Sequence, residues 1–333
     1  MRRQPIDIHK QPLLVLLLTF VVLLGAQTTR AIVAPYWAES LSDNLSPLGV
    51  WIDGLFAGAG VVIAPLVVVV GAVIITRIIT RYTLSPVRSF VPMMLFAIGV
   101  SGVVFPVGSP ALMLSLLMVV HSTNLMIMSF KRTERFSEVM RASFWVGLAT
   151  LIVPDMVYVL ILLPFQWLLW QRTSREMVAG LILALLPLLP ASFCWWVEGK
   201  EPLWLLGEWC ATLTPLHIPN FEVIFESVGG VWSVALGGLL ILLTLTSTVV
   251  FIMGFNSMRL RARKGHIFFA VLYLVGLFML LCGSRPAVAL LIMGYAMVPL
   301  INTLFVRRQG VLSAVIYIVM ALLALVVALV PLF

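Results

Sequence analysis

The sequence has little charge. Charged residues make up 10% of the 333-residue chain, whereas a soluble domain carries roughly 25%. Hydrophobic residues account for 62%, compared with roughly 45–50% in a soluble domain. This composition excludes an ordinary soluble fold. The repeated apolar runs are typical of a polytopic membrane protein, because one crossing of a bilayer takes about 20 apolar residues.

Residues that bind metals are also few. The three cysteines and four histidines are scattered along the chain, and no pair has the short spacing of a metal site. We therefore expect neither a metal nor another cofactor. Cys194 and Cys210 are predicted to lie near the same outer face, where a disulfide between them is an open alternative.

The apolar runs predict an all-α protein that forms a single integral-membrane domain over residues 1–333. Only helices satisfy their backbone hydrogen bonds in lipid at this hydropathy, and we count about eleven of them. The N-terminal MRRQPIDIHK and the run after it are interpreted as an uncleaved first span. The predicted spans are 12–33, 51–76, 88–107, 110–130, 142–154, 156–170, 177–197, 231–255, 266–284, 286–306 and 311–331.

The distribution of arginine and lysine predicts the orientation. With the N-terminus in the cytoplasm, most of the 21 basic residues fall in cytoplasmic connections, as the positive-inside rule requires. Only Arg30, Lys200 and Arg285 then lie on the outer face, where the C-terminus also falls. Because topology explains the net charge of +8, we do not expect a nucleic-acid partner.

The segment 142–170 is too short for two full crossings, since only 30 residues separate Arg141 from Arg172. A single tilted crossing would invert everything downstream and place RLRARK outside. We therefore predict a short or re-entrant helical hairpin that turns at Pro154 and Asp155. Irregular backbone at membrane depth has to be buried in protein or face water. The hairpin thus predicts a cavity with Asp155 near its tip.

Two outer loops, 34–50 and 198–230, are long enough to hold structure. The first carries Glu39 and Asp43. In the second, EPLWLLGEWCATL has the pattern of an amphipathic helix that lies in the membrane interface.

Residues 60–190 contain a short hairpin led by a phenylalanine, a tryptophan-rich span, and an Arg-Glu pair that opens the next span. This order resembles an uncharacterised integral-membrane family of Bacteroidota. The resemblance implies a bacterial inner membrane with the outer face in the periplasm, and it carries over no catalytic residue. The matching residues are Phe136, the hairpin from Gly147 to Pro154, Trp167, Trp170, Arg175 and Glu176.

The layout of the chain has a looser resemblance to multi-span glycosyltransferases that use polyprenyl-linked sugars. Those proteins also have many helices, short or broken spans and an acidic first periplasmic loop. The likeness is architectural. It implies a polyprenyl phosphate as the lipid partner.

Two outer arginines are the candidate phosphate ligands. Arg30 lies at the end of the first apolar run, where a charge is costly unless it meets a cavity or a partner. Arg285 occupies a very short turn between two spans. Together they would form a clamp for a diphosphate, because arginine binds phosphate in a bidentate manner. In the alternatives, Arg30 reaches the membrane surface or pairs with Glu39 or Asp43, and Arg285 is an ordinary charged turn.

Three outer carboxylates are the candidate catalytic residues. Glu39, Asp43 and Asp53 could each deprotonate a sugar hydroxyl within hydrogen-bond reach. The alternative for Glu39 and Asp43 is a solvated loop. Asp53 stands at a predicted helix start, where a carboxylate also favours the helix dipole.

Three further polar residues are candidates for a polar cavity within the membrane. His121 and Asn124 are three residues apart and so share a helix face, where hydrogen bonding between helices is the alternative to a transport path. Asp155 is flanked by apolar residues, and its alternative is a structural salt bridge.

Three classes of function follow from these residues. The first is an enzyme of envelope assembly that acts on a polyprenyl-phosphate-linked glycan or lipid at the outer face. The second is a transporter or lipid flippase, which should line a path with polar residues. The third is a non-catalytic subunit of a membrane complex, with another membrane protein as its partner.

Overall fold

The computed structural model of the protein describes residues 20–25, 45–56, 60–85, 87, 89–101, 109–130, 136–197, 199, 201–213, 231–281, 286–307 and 310–329. Every regular element among these residues is helical, which confirms the all-α prediction. A helical segment at 20–25 precedes the helices labelled below.

The first half of the described chain contains α1 (Pro47–Leu55), α2 (Gly60–Arg81), α3 (Val91–Ser101), α4 (Pro110–Ser129), α5 (Phe136–Ile152) and α6 (Val157–Leu169). The second half contains α7 (Ser174–Leu185), α8 (Leu188–Val197), α9 (Trp204–Leu213), α10 (Val231–Met253), α11 (Leu260–Leu281), α12 (Pro286–Arg307) and α13 (Val311–Leu329).

Six helical stretches among the described residues are long and apolar enough to cross a membrane. The protein therefore belongs to the class of multi-pass membrane proteins, as the composition predicts. The six stretches are Pro110–Ser129, Ser174–Val197, Val234–Met253, Leu260–Leu281, Ala287–Arg307 and Val311–Leu329.

The described residues do not support eleven full spans. The predicted span 51–76 is divided between α1 and α2, and the predicted span 88–107 contains a helix of 11 residues, α3. Hydropathy measures the length of an apolar run but not the continuity of its helix. The runs 51–76 and 88–107 were therefore each counted as one full span. Most of the predicted span 12–33 lies outside the described residues.

The predicted hairpin is present. Helices α5 and α6 have 17 and 13 residues, and a short 3-10 turn over Pro154–Met156 joins them. The chain returns to the side where it started, because the ring of Phe130, before α5, lies 5.4 Å from the ring of Trp170, after α6. Helix α5 begins at Phe136, six residues earlier than predicted, so it includes Arg141.

Helix α7 begins with a buried ion pair. Glu176 accepts a hydrogen bond from the Thr173 N–H (3.0 Å), and the Thr173 side chain caps the helix in return. The Glu176 carboxylate also lies 3.5 Å from the Arg172 guanidinium. Glu176 thus pairs with Arg172, four residues before it, whereas the adjacent Arg175 is exposed.

Small residues let helices approach closely in the interior. A Cβ atom on Gly294 of α12 would overlap the backbone of Gly99 in α3, and one on Gly147 of α5 would overlap the Ala184 carbonyl in α7. Such contacts are expected in lipid, where helices associate by close van der Waals packing. Among the six candidate spans, that of α12 is the most enclosed, because 89% of its most apolar 18 residues are buried.

Several basic connections meet at one end of the bundle. The Arg261 guanidinium in α11 lies over the rings of Tyr82, after α2 (5.7 Å), and Phe130, after α4 (5.4 Å). At the end of α12, Arg307 donates hydrogen bonds to the carbonyls of Val250 (3.1 Å) and Gly254 (3.3 Å), at the end of α10. We call this side, marked by Arg261 and Arg307, the basic end.

Other contacts define the opposite end. The Ser46 hydroxyl, before α1, donates to the carbonyl of Ile152 at the end of α5 (3.0 Å). The Tyr158 hydroxyl at the start of α6 donates to the Thr212 carbonyl in α9 (2.9 Å). The existence of α9 confirms a helix in EPLWLLGEWCATL. The helix ends that these contacts join therefore fall into two groups, at opposite ends of the bundle.

Candidate functional site

A cavity of about 790 Å³ opens at the end of the bundle opposite the basic end. It follows one face of α5 from Leu151 to Phe144, a distance of about 10 Å at 1.5 Å per residue. Its walls are apolar and aromatic residues of α1, α5 and α8 and of the α7–α8 turn. They are Pro47, Leu48, Trp51, Phe144, Leu148, Leu151, Leu186, Pro187, Pro190, Ala191, Cys194 and Trp195.

The break between α7 and α8 forms one wall of this outer cavity. The apolar run 177–197 was predicted as one span and lies within the candidate span Ser174–Val197, in which a turn at Leu186 and Pro187 interrupts the helix. Proline lacks the N–H that would continue the helical ladder. The spacing of Pro187 and Pro190 in LLPLLPAS is the sequence signal for this break.

Helix α1 forms the second wall and is fixed to α5. Ser46 caps α1 by accepting the Gly49 N–H (3.1 Å) and also donates to Ile152. A Cβ atom at Gly49 would crowd the Ile152 carbonyl, so this approach requires glycine. Trp51 is 62% exposed and lines the cavity. The cavity is therefore accessible from outside the bundle.

Asp53, a candidate catalytic residue, joins α1 to α4. Its Oδ2 accepts the Ser109 hydroxyl and its Oδ1 accepts the Ala111 N–H, both at 2.8 Å. Partial burial raises the pKa of Asp53, and these two hydrogen bonds oppose that shift. Both oxygens are thus engaged at the first turn of α4, and Asp53 is not among the residues that line the cavity. The geometry gives Asp53 a capping role.

Four other candidates lie outside the described residues: Arg30, Glu39, Asp43 and Arg285. The predicted diphosphate clamp and the remaining two catalytic carboxylates stay predictions. In sequence, the segment 26–44 leads directly into the wall of the cavity formed by α1, and Arg285 directly precedes α12.

The polar residues predicted within the membrane do not form one site. The half-buried His121 ring packs edge-on against Trp145 of α5 at 5.6 Å. The Asn124 amide oxygen accepts the Tyr82 hydroxyl at 3.3 Å, on the side of α2. The two side chains thus face different neighbours of α4, although they are three residues apart.

Asp155 is at the hairpin turn, as predicted. Asp155 is only 3% exposed. A cavity does flank the hairpin, but its walls are apolar and Asp155 does not line it. His121 packs against Trp145, and the hairpin turn that holds Asp155 lies about 10 Å further along α5. Asp155 and His121 therefore lie at different levels of the bundle. No observation among the described residues joins them into a transport path.

The open alternative of a disulfide between Cys194 and Cys210 is not realised in this structure. Both residues carry thiols and both are exposed. Cys194 lines the cavity, whereas Cys210 lies in α9 outside it.

Comparisons with protein-family models, curated proteins and solved structures find no match for this chain. The fold and the site define its class: an all-α, multi-pass membrane protein with an apolar cavity at one end of the helix bundle.

Proposed function

We propose that this membrane protein binds the hydrocarbon chain of a polyprenyl-phosphate-linked substrate in the outer cavity and acts on its head group at that face. The apolar cavity at the end away from the basic residues carries the proposal. Its volume of about 790 Å³ falls within the roughly 300–1,000 Å³ range of ligand pockets. Its aromatic and aliphatic walls suit a hydrocarbon chain.

The bilayer gives a lipid direct access to this cavity. In the candidate span Ser174–Val197, which covers α7 and α8, only 17% of the most apolar 18 residues are buried inside the protein. The corresponding fraction for the span of α12 is 89%. In a membrane, such exposed apolar surface faces lipid. Because α8 and the turn before it form one wall of the cavity, a lipid chain can enter beside them without crossing water.

The phosphate of such a lipid has two candidate ligands. Arg307 at the end of α12 lies at the basic end, so the start of α12, which follows Arg285, lies at the end that holds the cavity. Arg30 belongs to the segment that leads into α1. A bidentate arginine clamp would bind a diphosphate strongly. Since Asp53 serves as a helix cap, Glu39 and Asp43 are the remaining candidates for a catalytic base.

The orientation follows from the positive-inside rule. The basic end lies in the cytoplasm, and the cavity opens toward the periplasm of a bacterial inner membrane. Both the N-terminal segment before the first span and the connections at Arg261 and Arg307 are then cytoplasmic. The C-terminus is periplasmic. A lipid-linked substrate at that face belongs to envelope assembly.

A non-catalytic membrane subunit is the second candidate function. The same exposed face of α7 and α8 could pack against the helix of another membrane protein. In that case the outer cavity would receive a side chain of the partner, and the cavity would not bind any particular lipid.

Native mass spectrometry of the purified protein tests the proposal. Ala191→Trp fills the cavity, and Leu189→Trp adds the same bulk at a position 68% exposed and outside the lining. We expect a bound polyprenyl phosphate or diphosphate in the wild type and in Leu189→Trp, and its loss in Ala191→Trp. Arg30→Ala and Arg285→Ala should weaken binding of the same lipid.

Retention of the lipid by Ala191→Trp would exclude the cavity as its site. If the wild type carries no such lipid but copurifies with another membrane protein, the subunit function replaces the enzyme. Loss from Ala191→Trp combined with retention in both arginine variants would keep the cavity and refute the clamp.

A further inference from the structure

A second cavity, of about 460 Å³, lies at the basic end. The connection after α2, the start of α11 and the end of α12 enclose it. The described residues that line it include two arginines and no carboxylate. They are Thr83, Leu84, Ser85, Ser257, Met258, Arg259, Ala262, Thr303, Val306 and Arg307.

The two arginines give this inner cavity a net positive charge. Neither Arg259 nor Arg307 forms an ion pair with a described carboxylate, in contrast to the pair of Arg172 and Glu176. Both are exposed. Arg259 precedes the span Leu260–Leu281, and Arg307 closes the span Ala287–Arg307. The cavity therefore sits at the level of the lipid head groups.

The Arg307 guanidinium is held in place by α10. Two of its five N–H groups donate to the Val250 and Gly254 carbonyls, which leaves further donors for a ligand. A Cβ atom at Gly254 would overlap this guanidinium. Glycine at position 254 is thus what allows Arg307 to occupy its position.

A buried polar contact supports the inner wall of the cavity. The Thr303 hydroxyl lies 2.6 Å from His266 Nε2, and His266 Nδ1 lies 2.8 Å from the Ala262 carbonyl. A carbonyl can only accept, so Nδ1 carries a proton. The ring is also stacked on Phe251 at 5.1 Å. Thr303, in the wall beside Arg307, is therefore positioned by its contact with His266.

We propose that this inner cavity binds a phosphate group, with Arg259 and Arg307 as its ligands. Charge-assisted hydrogen bonds from arginine favour phosphate, and basic pockets between membrane helices on the cytoplasmic side bind anionic head groups. The position of both arginines at the ends of candidate spans favours the phosphate of a membrane phospholipid over a soluble phosphate. The inference is independent of the outer cavity and of the polyprenyl substrate.

The test is lipid retention by the full-length protein. The protein is reconstituted in nanodiscs of phosphatidylcholine or of an equal mixture of phosphatidylcholine and phosphatidylglycerol, and bound lipids are counted by native mass spectrometry. Arg259→Gln removes one ligand. Gly254→Ala displaces the Arg307 guanidinium without removing its charge. Arg175→Gln is the matched control, because Arg175 is an exposed arginine near the basic end that does not line the cavity.

We expect the wild type to retain phosphatidylglycerol selectively, and Arg259→Gln and Gly254→Ala each to reduce retention about fivefold. Arg175→Gln should retain it like the wild type. If inorganic phosphate displaces the lipid and binds in phosphatidylcholine alone, with the same dependence on both variants, the site holds but its ligand is soluble phosphate.

Equal retention by all variants, or no selective retention by the wild type, would overturn the proposal. Arg259 is exposed and lies outside the packed interior, so Arg259→Gln should fold normally. It decides the outcome if Gly254→Ala does not fold.

Discussion

The carboxylate of Asp53 connects α1 to α4 through two hydrogen bonds, and α1 forms one wall of the outer cavity. Single polar groups of this kind position the apolar walls: Ser46 ties α1 to α5 in the same way. At the scale of residues, the cavity thus depends on a few buried or half-buried hydrogen bonds between short helices. The apolar side chains then supply its surface.

Replacement of Asp53 should lower the stability of the fold, because its carboxylate holds α1 against α4. We expect Asp53→Ala to reduce the free energy of unfolding by about 1–3 kcal/mol, because the Ala111 N–H loses its acceptor and α4 loses a cap. Asp53→Asn should cost less, since its amide oxygen still accepts that N–H. Denaturant unfolding in detergent measures both. Unchanged stability in Asp53→Ala, together with lost activity, would make Asp53 catalytic instead.

At the scale of elements, the hairpin of α5 and α6 could be predicted because a count of residues between Arg141 and Arg172 leaves room for two short helices only. The all-α fold followed from hydropathy. The turn at Pro187 inside the candidate span Ser174–Val197 and the division of 51–76 into α1 and α2 were not predicted, since apolar length does not report helix continuity. A cavity beside the hairpin was predicted, but its lining could not be derived, because it comes from three helices and a turn whose packing no local pattern encodes.

Helix α5 packs closely against α7 at Gly147, beside the cavity-lining Leu148. We expect Gly147→Ala to lower the free energy of unfolding by about 1–3 kcal/mol, because its Cβ overlaps the Ala184 carbonyl, and backbone cannot move aside cheaply. Gly238→Ala in α10 is the control, since nothing lies within 4 Å of its Cβ. Thermal unfolding of both variants tests this contact. Equal midpoints would mean that the two helices do not approach closely at Gly147.

At the scale of the whole molecule, the described helix ends fall into two groups, one at the basic end and one at the end that holds the apolar cavity. Arginine and lysine predict an alternation of the connections between two sides, because positive-inside bias acts on each connection. Which residues of each end converge could not be predicted. Arg259 and Arg307 entered the sequence analysis only as topology markers. Arg30, Glu39, Asp43 and Arg285 lie outside the described residues.

Sidedness can be measured with thiol labelling. In a background with Cys194 and Cys282 replaced by alanine, Cys210 should react with a membrane-impermeant maleimide added to the periplasmic side. With Cys210 also replaced, Ser257→Cys should react only from the cytoplasmic side, because Ser257 lines the cavity at the basic end. Labelling of both positions from one side would contradict the alternating arrangement.

The most direct measurement is the alkylation rate of Cys194 as a polyprenyl phosphate is titrated into nanodiscs that contain the protein. Cys194 lines the outer cavity, and the exposed Cys210 outside it serves as the internal reference. If the lipid chain occupies the cavity, Cys194 becomes protected in a saturable manner while Cys210 keeps its rate, and Ala191→Trp abolishes the lipid dependence. If Cys194 reacts at the same rate at every lipid concentration, the outer cavity is not the lipid site.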